Sequence, residues 1–154
     1  MTFLAKTRLF VLCHVVLMFV ATTLLAETMS AGQAFEAVKN NEIILLDIRT
    51  EGEWKQSGVG EGAWLLNLKD RQFGAKLFAI IDANPDKKIG LICAVGGRSG
   101  YVIDALEKRG YKNIVDVAEG MFGSAKGPGW LKIGLPTVSM DKALAAMPSE
   151  FRTN

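Results

Sequence analysis

The sequence predicts a single α/β domain built on a mainly parallel sheet. Short apolar runs of strand length alternate with segments whose apolar residues recur at helical spacing. This alternation is typical of α/β domains, in which a helix returns the chain between neighbouring parallel strands. The chain of 154 residues is long enough for one domain with a substantial core, and it contains no internal repeat or low-complexity linker. We therefore expect one domain across residues 28–147.

The first predicted elements are a helix, a strand and a short helix. Ser30 begins the first helix because Gln33, three positions later, completes a capping box, and the helix continues to about Val38. The apolar run Glu42–Ile48 is typical of a buried parallel strand. Thr50–Lys55 predicts a short helix, and the glycine-rich GVGEG segment after it predicts a loop.

Two strand and helix pairs are expected in the middle of the chain. Ala63–Leu68 is the second strand candidate, and a helix follows it on the helical spacing of Phe73, Leu77, Ile80 and Ile81. Lys88–Ile92 is the third strand. The next helix includes Val102 and Leu106 and is ended by Gly110.

The last predicted strand is followed by a long loop. Asn113–Val117 forms that strand, and the glycine-rich segment EGMFGSAKGPGW after it predicts a loop that holds at most one helical turn. Ser139 and Asp141 predict the start of a short terminal helix.

Residues 1–26 are predicted to be a targeting segment. A short basic stretch precedes the almost wholly apolar residues 9–21, and Ala26 stands where a signal peptidase would cut, although Leu24 replaces the preferred small residue. The alternative is an uncleaved anchor, because residues 9–26 approach the length that spans roughly 30 Å of hydrocarbon. We expect a periplasmic or secreted protein, or one held at the membrane by residues 9–26.

Net charge does not favour a nucleic-acid partner. The chain has 18 Lys and Arg against 16 Asp and Glu, and Lys6 and Arg8 in the targeting segment account for the whole difference. The remaining domain is neutral, so no basic surface is indicated. Contact with a membrane is expected only if the N-terminal segment is not cleaved.

The expected mature domain has one cysteine and no histidine. Cys13 and His14 fall within the targeting segment, which leaves Cys93. A single cysteine cannot form an internal disulfide, and in an exported protein it indicates a reactive thiol or an intermolecular bridge. Without histidine, a zinc site and a Cys–His protease are both disfavoured. We expect neither a metal nor a cofactor.

The most informative segment is LICAVGGRSG, Leu91–Gly100, in which Cys93 ends a strand and a glycine-rich turn begins. Its small side chains leave the backbone amides accessible, and the following helix directs its positive end into the turn. A thiolate is favoured there, and Arg98 adds a cation. The alternative is an inert, buried cysteine at a strand end. The turn matches neither the Walker pattern nor the GxGxxG pattern.

Five segments, in this order, resemble the signatures of a single-domain rhodanese. They are DIRTEGEW, EGAWLLNL, LICAVGGRS, NIVDVAEGMFG and GLP, and they cover about residues 28–137. The GPGW insert before GLP is similar to an exported bacterial branch of that family. The resemblance implies a three-layer α/β/α sandwich around a five-stranded, mainly parallel sheet.

The resemblance also implies a sulfurtransferase. Cys93 would take sulfane sulfur from thiosulfate, a persulfide or a polysulfide, and pass it from a persulfide to a thiol or cyanide acceptor. The loop that would bind the persulfide and its substrate comprises Ala94, Val95, Gly96, Gly97, Arg98 and Ser99, whose amides would stabilise the sulfur charge. Arg98 would hold the loop or attract an anionic donor.

Two features of the loop narrow the expected substrate. Cys93 to Arg98 is six residues, the rhodanese length, whereas related tyrosine-phosphatase-like enzymes use a seven-residue loop wide enough for phosphate. Ala94 stands where thiosulfate-using relatives often carry a basic residue, so we expect thiosulfate to be a mediocre donor and a persulfide or polysulfide to be the physiological one. The rival interpretations are a low-turnover sulfur-delivery module that acts with a protein partner, and a phosphatase-like enzyme.

Four further residues are candidate site residues. Asp47 and Arg49 match the family's Asp-x-Arg at a strand end, and an ion pair that supports the loop is a better interpretation than catalysis. Met121 and Phe122 follow another strand end, where they are expected to line the pocket and select the acceptor.

Overall fold

Five parallel strands form the central sheet in the computed structural model, which describes residues 27–152. In chain order the strands of the molecule are β1 (Glu27–Thr28), β2 (Ile43–Asp47), β3 (Val59–Gly60), β4 (Trp64–Leu65), β5 (Lys88–Ile92), β6 (Ile114–Asp116) and β7 (Thr137–Val138). The sheet has the spatial order β1-β6-β5-β2-β4, and β3 pairs with β7 as a separate antiparallel ribbon. The predicted targeting segment lies outside the described residues.

The helices cover both faces of this sheet. They are α1 (Ala31–Lys39), α2 (Glu51–Ser57), α3 (Phe73–Ala83), α4 (Gly97–Glu107), α5 (Gly129–Lys132) and α6 (Met140–Ala146), followed by a 3-10 turn at Ser149–Phe151. Between residues 27 and 152, none of the helices has the length and apolar character needed to cross a membrane.

Side-chain alternation along the strands divides the core into two layers. On β2, Leu45 packs with the alanine face of α1, whereas its neighbour Leu46 packs with α3 and α4 on the opposite face. Both residues are fully buried. A strand with apolar residues on both faces reads as a continuous apolar run, as this one does. The three-layer α/β/α sandwich with a five-stranded parallel sheet is therefore confirmed.

Predictions that rest on local signals agree with the structure. The Ser30 hydroxyl accepts from the Gln33 amide at 3.1 Å, and the Gln33 side chain accepts from the Ser30 amide at 2.9 Å. These two bonds are the predicted capping box. The strand Lys88–Ile92 has the predicted bounds, and Ser139 caps the last helix.

The predicted and observed structures differ in the short strands. The predicted strand Ala63–Leu68 is reduced to Trp64–Leu65, because β2, its neighbour in the sheet formed by residues 27–152, ends at the residue opposite Leu65. The predicted GVGEG loop contains β3, whose partner β7 is contributed by a distant part of the chain. The two-residue β1 was not predicted and exists through its pairing with β6.

The parallel register brings several strand ends to one edge of the sheet. Asp47 lies opposite Ile92, and Asp116 lies opposite Leu91, one position earlier on β5. Because ligands of such sheets bind beyond the carboxyl ends of the strands, Cys93 emerges at the edge where function is expected.

Trp130 provides a test of the core on the α1 side. Its ring is fully buried, meets Phe35 edge-on at 5.6 Å between centroids, and donates its indole N–H to the Pro136 carbonyl at 2.9 Å. We expect Trp130→Ala to lower the free energy of unfolding by about 3–5 kcal/mol, measured by urea denaturation. Tyr101→Ala, at an aromatic residue that is 76% exposed, is the matched control and should change stability by no more than about 0.5 kcal/mol. Equal losses in both variants would contradict this account of the core.

Candidate active site

Cys93 lies in the turn between β5 and α4 and is 1% exposed. The turn closes through Gly96, whose φ of 82° is left-handed. A Cβ atom at this position would stand 2.1 Å from the Ala118 carbonyl oxygen. Glycine is therefore required here both by its own backbone conformation and by the close approach of a second loop.

That second loop follows β6 and holds the cysteine turn through its backbone. The Met121 amide donates to the Cys93 carbonyl, and the Phe122 amide donates to the Ala94 carbonyl, both at 2.9 Å. Gly120, with φ of 68°, permits this approach, since its Cβ would stand 2.5 Å from the Ala94 oxygen. The carbonyls of the turn thus face the second loop.

The backbone amides of the turn are available to donate hydrogen bonds to an anion. The Gly100 amide makes the first backbone bond of α4, to the Gly96 carbonyl at 3.0 Å. Within the described part of the chain, the amides of residues 94–99 donate to no protein acceptor. Amides that precede the first helical bond carry the positive end of the helix dipole. A negative sulfur on Cys93 would be stabilised at this position.

Ser99 is the polar side chain closest to the thiol. Its side chain is fully buried, and its hydroxyl accepts from the Cys93 thiol at 3.6 Å while donating to the Gly96 carbonyl at 3.1 Å. A hydroxyl can rotate to accept or to donate. Ser99 can therefore serve both the thiol and the thiolate.

Arg98 forms a two-armed ion pair with Glu53 on α2. The guanidinium nitrogens lie 2.9 and 2.5 Å from the two carboxylate oxygens. Glu53 also accepts from the Thr50 amide and hydroxyl. The Arg98 hydrogen bond, outweighing partial burial, lowers the pKa of Glu53 to about 2. Arg98 thus ties the loop to α2, and its charge is compensated.

Asp47 and Arg49 form a second ion pair, which is completely buried. The Arg49 guanidinium lies 2.6 Å from an Asp47 oxygen and also donates at 2.7 Å to the Ser57 hydroxyl and to the Gly58 carbonyl. These bonds join the end of β2 to the end of α2. Because the Asp47–Arg49 pair is fully hydrogen-bonded and not exposed, we interpret it as a structural support for the loops above it.

The two predicted pocket residues, Met121 and Phe122, differ in their exposure to solvent. Met121 is fully buried and belongs to the core on the α1 side, so its side chain does not line a pocket open to solvent. Phe122 is 49% exposed and lies 6.0 Å from the Arg49 guanidinium carbon, measured to the ring centroid. Val95, within the cysteine turn, is 55% exposed. Apolar surface therefore lies on both loops at the site.

Two acids near the site are buried, which the sequence did not predict. Glu119 accepts from the amides of Ala31 and Gly129 at 3.2 Å each, which fastens the second loop to the starts of α1 and α5. Asp116 ends β6 and is 8% exposed, and its Oδ1 atom has no hydrogen-bond partner within residues 27–152. Single acids after an apolar strand carry no spacing signal. Across those residues, no cluster of three or more His, Cys, Asp or Glu side chains has the arrangement of a metal site.

The chain is similar to known proteins along most of the described domain. Residues 30–126 match the family described as "Rhodanese-like domain". A curated relative, uncharacterized protein RP600 of Rickettsia prowazekii, is 30% identical over 105 residues, which cover 64% of this chain and 85% of that protein. The relative's function is not described by its name.

Solved structures show the same fold. A rhodanese-related protein from Thermoplasma volcanium is 25% identical, with a TM-score of 0.54, over 73% of this chain and 97% of that one. The polysulfide-sulfur transferase homodimer from Wolinella succinogenes gives a TM-score of 0.54 at 22% identity, over 74% of this chain and 79% of that one. With its five-stranded parallel sheet and its cysteine turn at the sheet's carboxyl edge, the chain belongs to the rhodanese-like domain family.

Proposed function

We propose that this protein is a sulfurtransferase that carries sulfane sulfur as a persulfide on Cys93. The observation that carries the proposal is the position of Cys93 in a six-residue turn whose amides make no bonds to the described protein. Such amides are preorganised donors that can stabilise negative charge on sulfur without reorganising. A structural cysteine at a strand end would not need them.

The transfer divides into two displacements at sulfur. In the first, the Cys93 thiolate attacks the outer sulfur of a donor R–S–S⁻, the donor's S–S bond breaks, and R–S⁻ departs. In the second, an acceptor thiolate attacks the outer sulfur of the Cys93 persulfide, and the Cys93 thiolate is restored as that S–S bond breaks. Both steps keep a negative charge within the turn, where the amides of residues 94–99 receive it.

The charges at the turn favour a donor of low charge. Ala94 supplies no cation at the mouth of the turn, and the charge of Arg98 is shared with the carboxylate of Glu53. The amides and the dipole of α4 then provide most of the attraction for an anion. A persulfide or polysulfide meets these conditions better than the dianion thiosulfate.

A second candidate function is sulfur delivery to a partner protein. In this function the acceptor is a thiol of that protein, and turnover on small molecules is slow. The observation that favours it is the exposure of Val95 and Phe122 on the two loops at the site. Exposed apolar side chains around a reactive group are typical of a contact surface for another protein. Fast transfer to a protein thiol with slow transfer to cyanide would distinguish this function.

Cys93→Ser should abolish sulfur uptake. Residues 27–154 exposed to polysulfide should gain about 32 Da, the mass of one sulfur atom, and cyanide should remove it. The variant should show no gain in intact-mass measurements, because serine cannot form a persulfide. Failure of the folded, reduced wild-type protein to gain mass from any donor would contradict the proposed function.

Ala94→Lys should improve the use of thiosulfate. An added cation beside the thiol strengthens binding of a dianion more than that of a monoanion, so KM for thiosulfate should fall severalfold more than KM for a persulfide donor. Steady-state assays with both donors measure the ratio. Ala146→Lys, which adds the same charge on α6, is the control. An equal change in both variants would show that the charge at position 94 does not select the donor.

Glu53→Gln should remove a pH-dependent contribution to stability. Because Arg98 lowers the folded-state pKa of Glu53 to about 2, the ionised group stabilises the fold above the unfolded pKa of about 4.3, and this contribution is lost as pH falls towards 2. Urea unfolding at pH 7 and at pH 3 should therefore show a smaller difference between wild type and variant at pH 3. Glu36→Gln, on the exposed face of α1, should show no such convergence.

A further inference from the structure

An apolar groove of about 220 Å³ lies between α3 and α4. Its walls include Phe73, Gly74 and Phe78 of α3 and Tyr101 of α4. Apart from Arg109 and the Tyr101 hydroxyl, the lining side chains are apolar. Pockets that bind small molecules usually measure roughly 300–1,000 Å³. The groove is therefore better matched to one or two side chains of another protein.

The groove has room for an incoming side chain beside Gly74. A Cβ atom at this position, in the first turn of α3, would meet no atom within 4 Å. On α4, the aromatic ring of Tyr101 is 76% exposed. Exposed aromatic surface next to an apolar concavity is typical of a contact site for another protein.

Positive charge borders the groove. Lys69 and Arg71 are exposed in the segment that precedes α3. Arg109 lines the groove, and its guanidinium carbon lies 5.5 Å from the centroid of the Phe78 ring. Within residues 27–152, none of these three cations forms an ion pair. Carboxylates of a partner could therefore pair with them.

The acidic residues of the same segments leave these cations uncompensated. Asp70 and Asp104 are each paired with a nearby lysine. Glu107 is two residues before Arg109, which places it about 200° away around the helix axis. Asp82, one turn beyond the last lining residue of α3, forms no ion pair with Arg109 among the described residues. The groove thus combines an apolar interior with a positively charged border.

The groove begins at the same edge of the sheet as the cysteine turn. α4 starts at Gly97, four residues after Cys93, and Tyr101 lies one helical turn, roughly 6 Å along the axis, beyond Gly97. Leu68, which follows the carboxyl end of β4, also lines the groove. A protein bound along the groove would therefore extend towards Cys93.

We propose that this groove docks an acidic, amphipathic segment of the protein to which Cys93 delivers sulfur. One large apolar side chain of the segment fills the space beside Gly74, and flanking Asp or Glu residues pair with Arg109, Lys69 and Arg71. A partner thiolate held next to the segment attacks the outer sulfur of the Cys93 persulfide, the S–S bond breaks, and the Cys93 thiolate is restored. This assignment rests on the proposed function and adds the recognition surface for the acceptor.

Two other occupants fit the charges less well. A second copy of the chain, joined through the same groove, would bring like charges together, and such contacts are disfavoured. The N-terminal segment, residues 1–26, carries Lys6 and Arg8 and no acid. An acidic segment of a different protein matches both the apolar interior and the border.

Peptide selection tests the docking surface without sulfur chemistry. Random peptides displayed on phage are selected against the Cys93→Ser protein, in which no thiol can capture them. Enriched peptides should combine large apolar residues with Asp or Glu, and their affinity, measured by fluorescence anisotropy, should fall as salt is added. Selection of no peptide, or of peptides without acids, would overturn the proposal.

Substitutions show whether the selected peptides bind in the groove. Gly74→Trp should weaken their binding about tenfold by filling the space that their apolar side chain needs. Gly52→Trp is the matched control on α2, because a Cβ atom there also meets nothing within 4 Å. Arg71→Glu should weaken binding severalfold, whereas Lys142→Glu, the same charge change on α6, should not. Equal effects of a variant and its control would contradict the proposed docking surface.

The other occupants have distinct outcomes in the same comparison. Self-association of the wild-type protein that Gly74→Trp abolishes, measured by sedimentation velocity, would assign the groove to a second copy. Binding to phosphatidylglycerol vesicles that Gly74→Trp abolishes would assign it to a membrane surface. Either result would overturn the assignment to an acidic protein segment.

A sulfur-transfer assay separates this inference from the proposed function. Mass spectrometry shows first whether Cys93 accepts sulfur from polysulfide; if it does not, the function fails while the binding measurements still decide the docking surface. From loaded protein, a selected peptide with an added terminal cysteine should receive sulfur severalfold faster than a scrambled peptide of the same composition. Gly74→Trp should remove this advantage, and Gly52→Trp should retain it. Loaded wild-type protein that shows no advantage would overturn the link between the groove and sulfur delivery.

Discussion

The site depends on the contact between two loop backbones, one after β5 and one after β6. Gly96 and Gly120 let the loops approach to distances that a Cβ atom would prevent at either position. Backbone amides of the second loop then donate hydrogen bonds to the carbonyls of Cys93 and Ala94. The carbonyls of the turn are thus engaged, while the amides of residues 94–99 donate to no acceptor in the described part of the chain. Backbone packing between the two loops therefore fixes the conformation of the turn that holds Cys93.

Two ion pairs hold this arrangement in place. Asp47 and Arg49 join β2 to the end of α2, and Glu53 on the same helix holds Arg98. In the proposed function, an anion in the turn is stabilised by the dipoles of the turn and of α4, which are fixed by the fold and remain the same through both displacements. Such an environment would suit a carrier whose negative sulfur must also be reactive enough to leave.

The apolar surface and the buried acids around the turn have distinct consequences. Val95 and Phe122 are exposed on the two loops and shape what can approach Cys93. Glu119 holds the second loop to the starts of two helices. Asp116 ends β6, and its Oδ1 atom is buried without a hydrogen-bond partner within residues 27–152. The exposed apolar side chains therefore lie on the two loops, whereas the acids are buried beneath the surface.

The sequence by itself determined the α/β class, the capping box at Ser30, the strand Lys88–Ile92 and the cysteine turn, because each depends on residues close together in the chain. The tertiary structure alone decided the short strands, since β3 pairs with β7 and β1 with β6 across long sequence separations. It likewise decided that Met121 is buried while Phe122 is exposed, that Arg98 is engaged by Glu53, and that Asp116 is buried at the end of β6. Such relations arise from the register of the parallel sheet, which brings the ends of separate strands to one edge and leaves no local pattern in the chain.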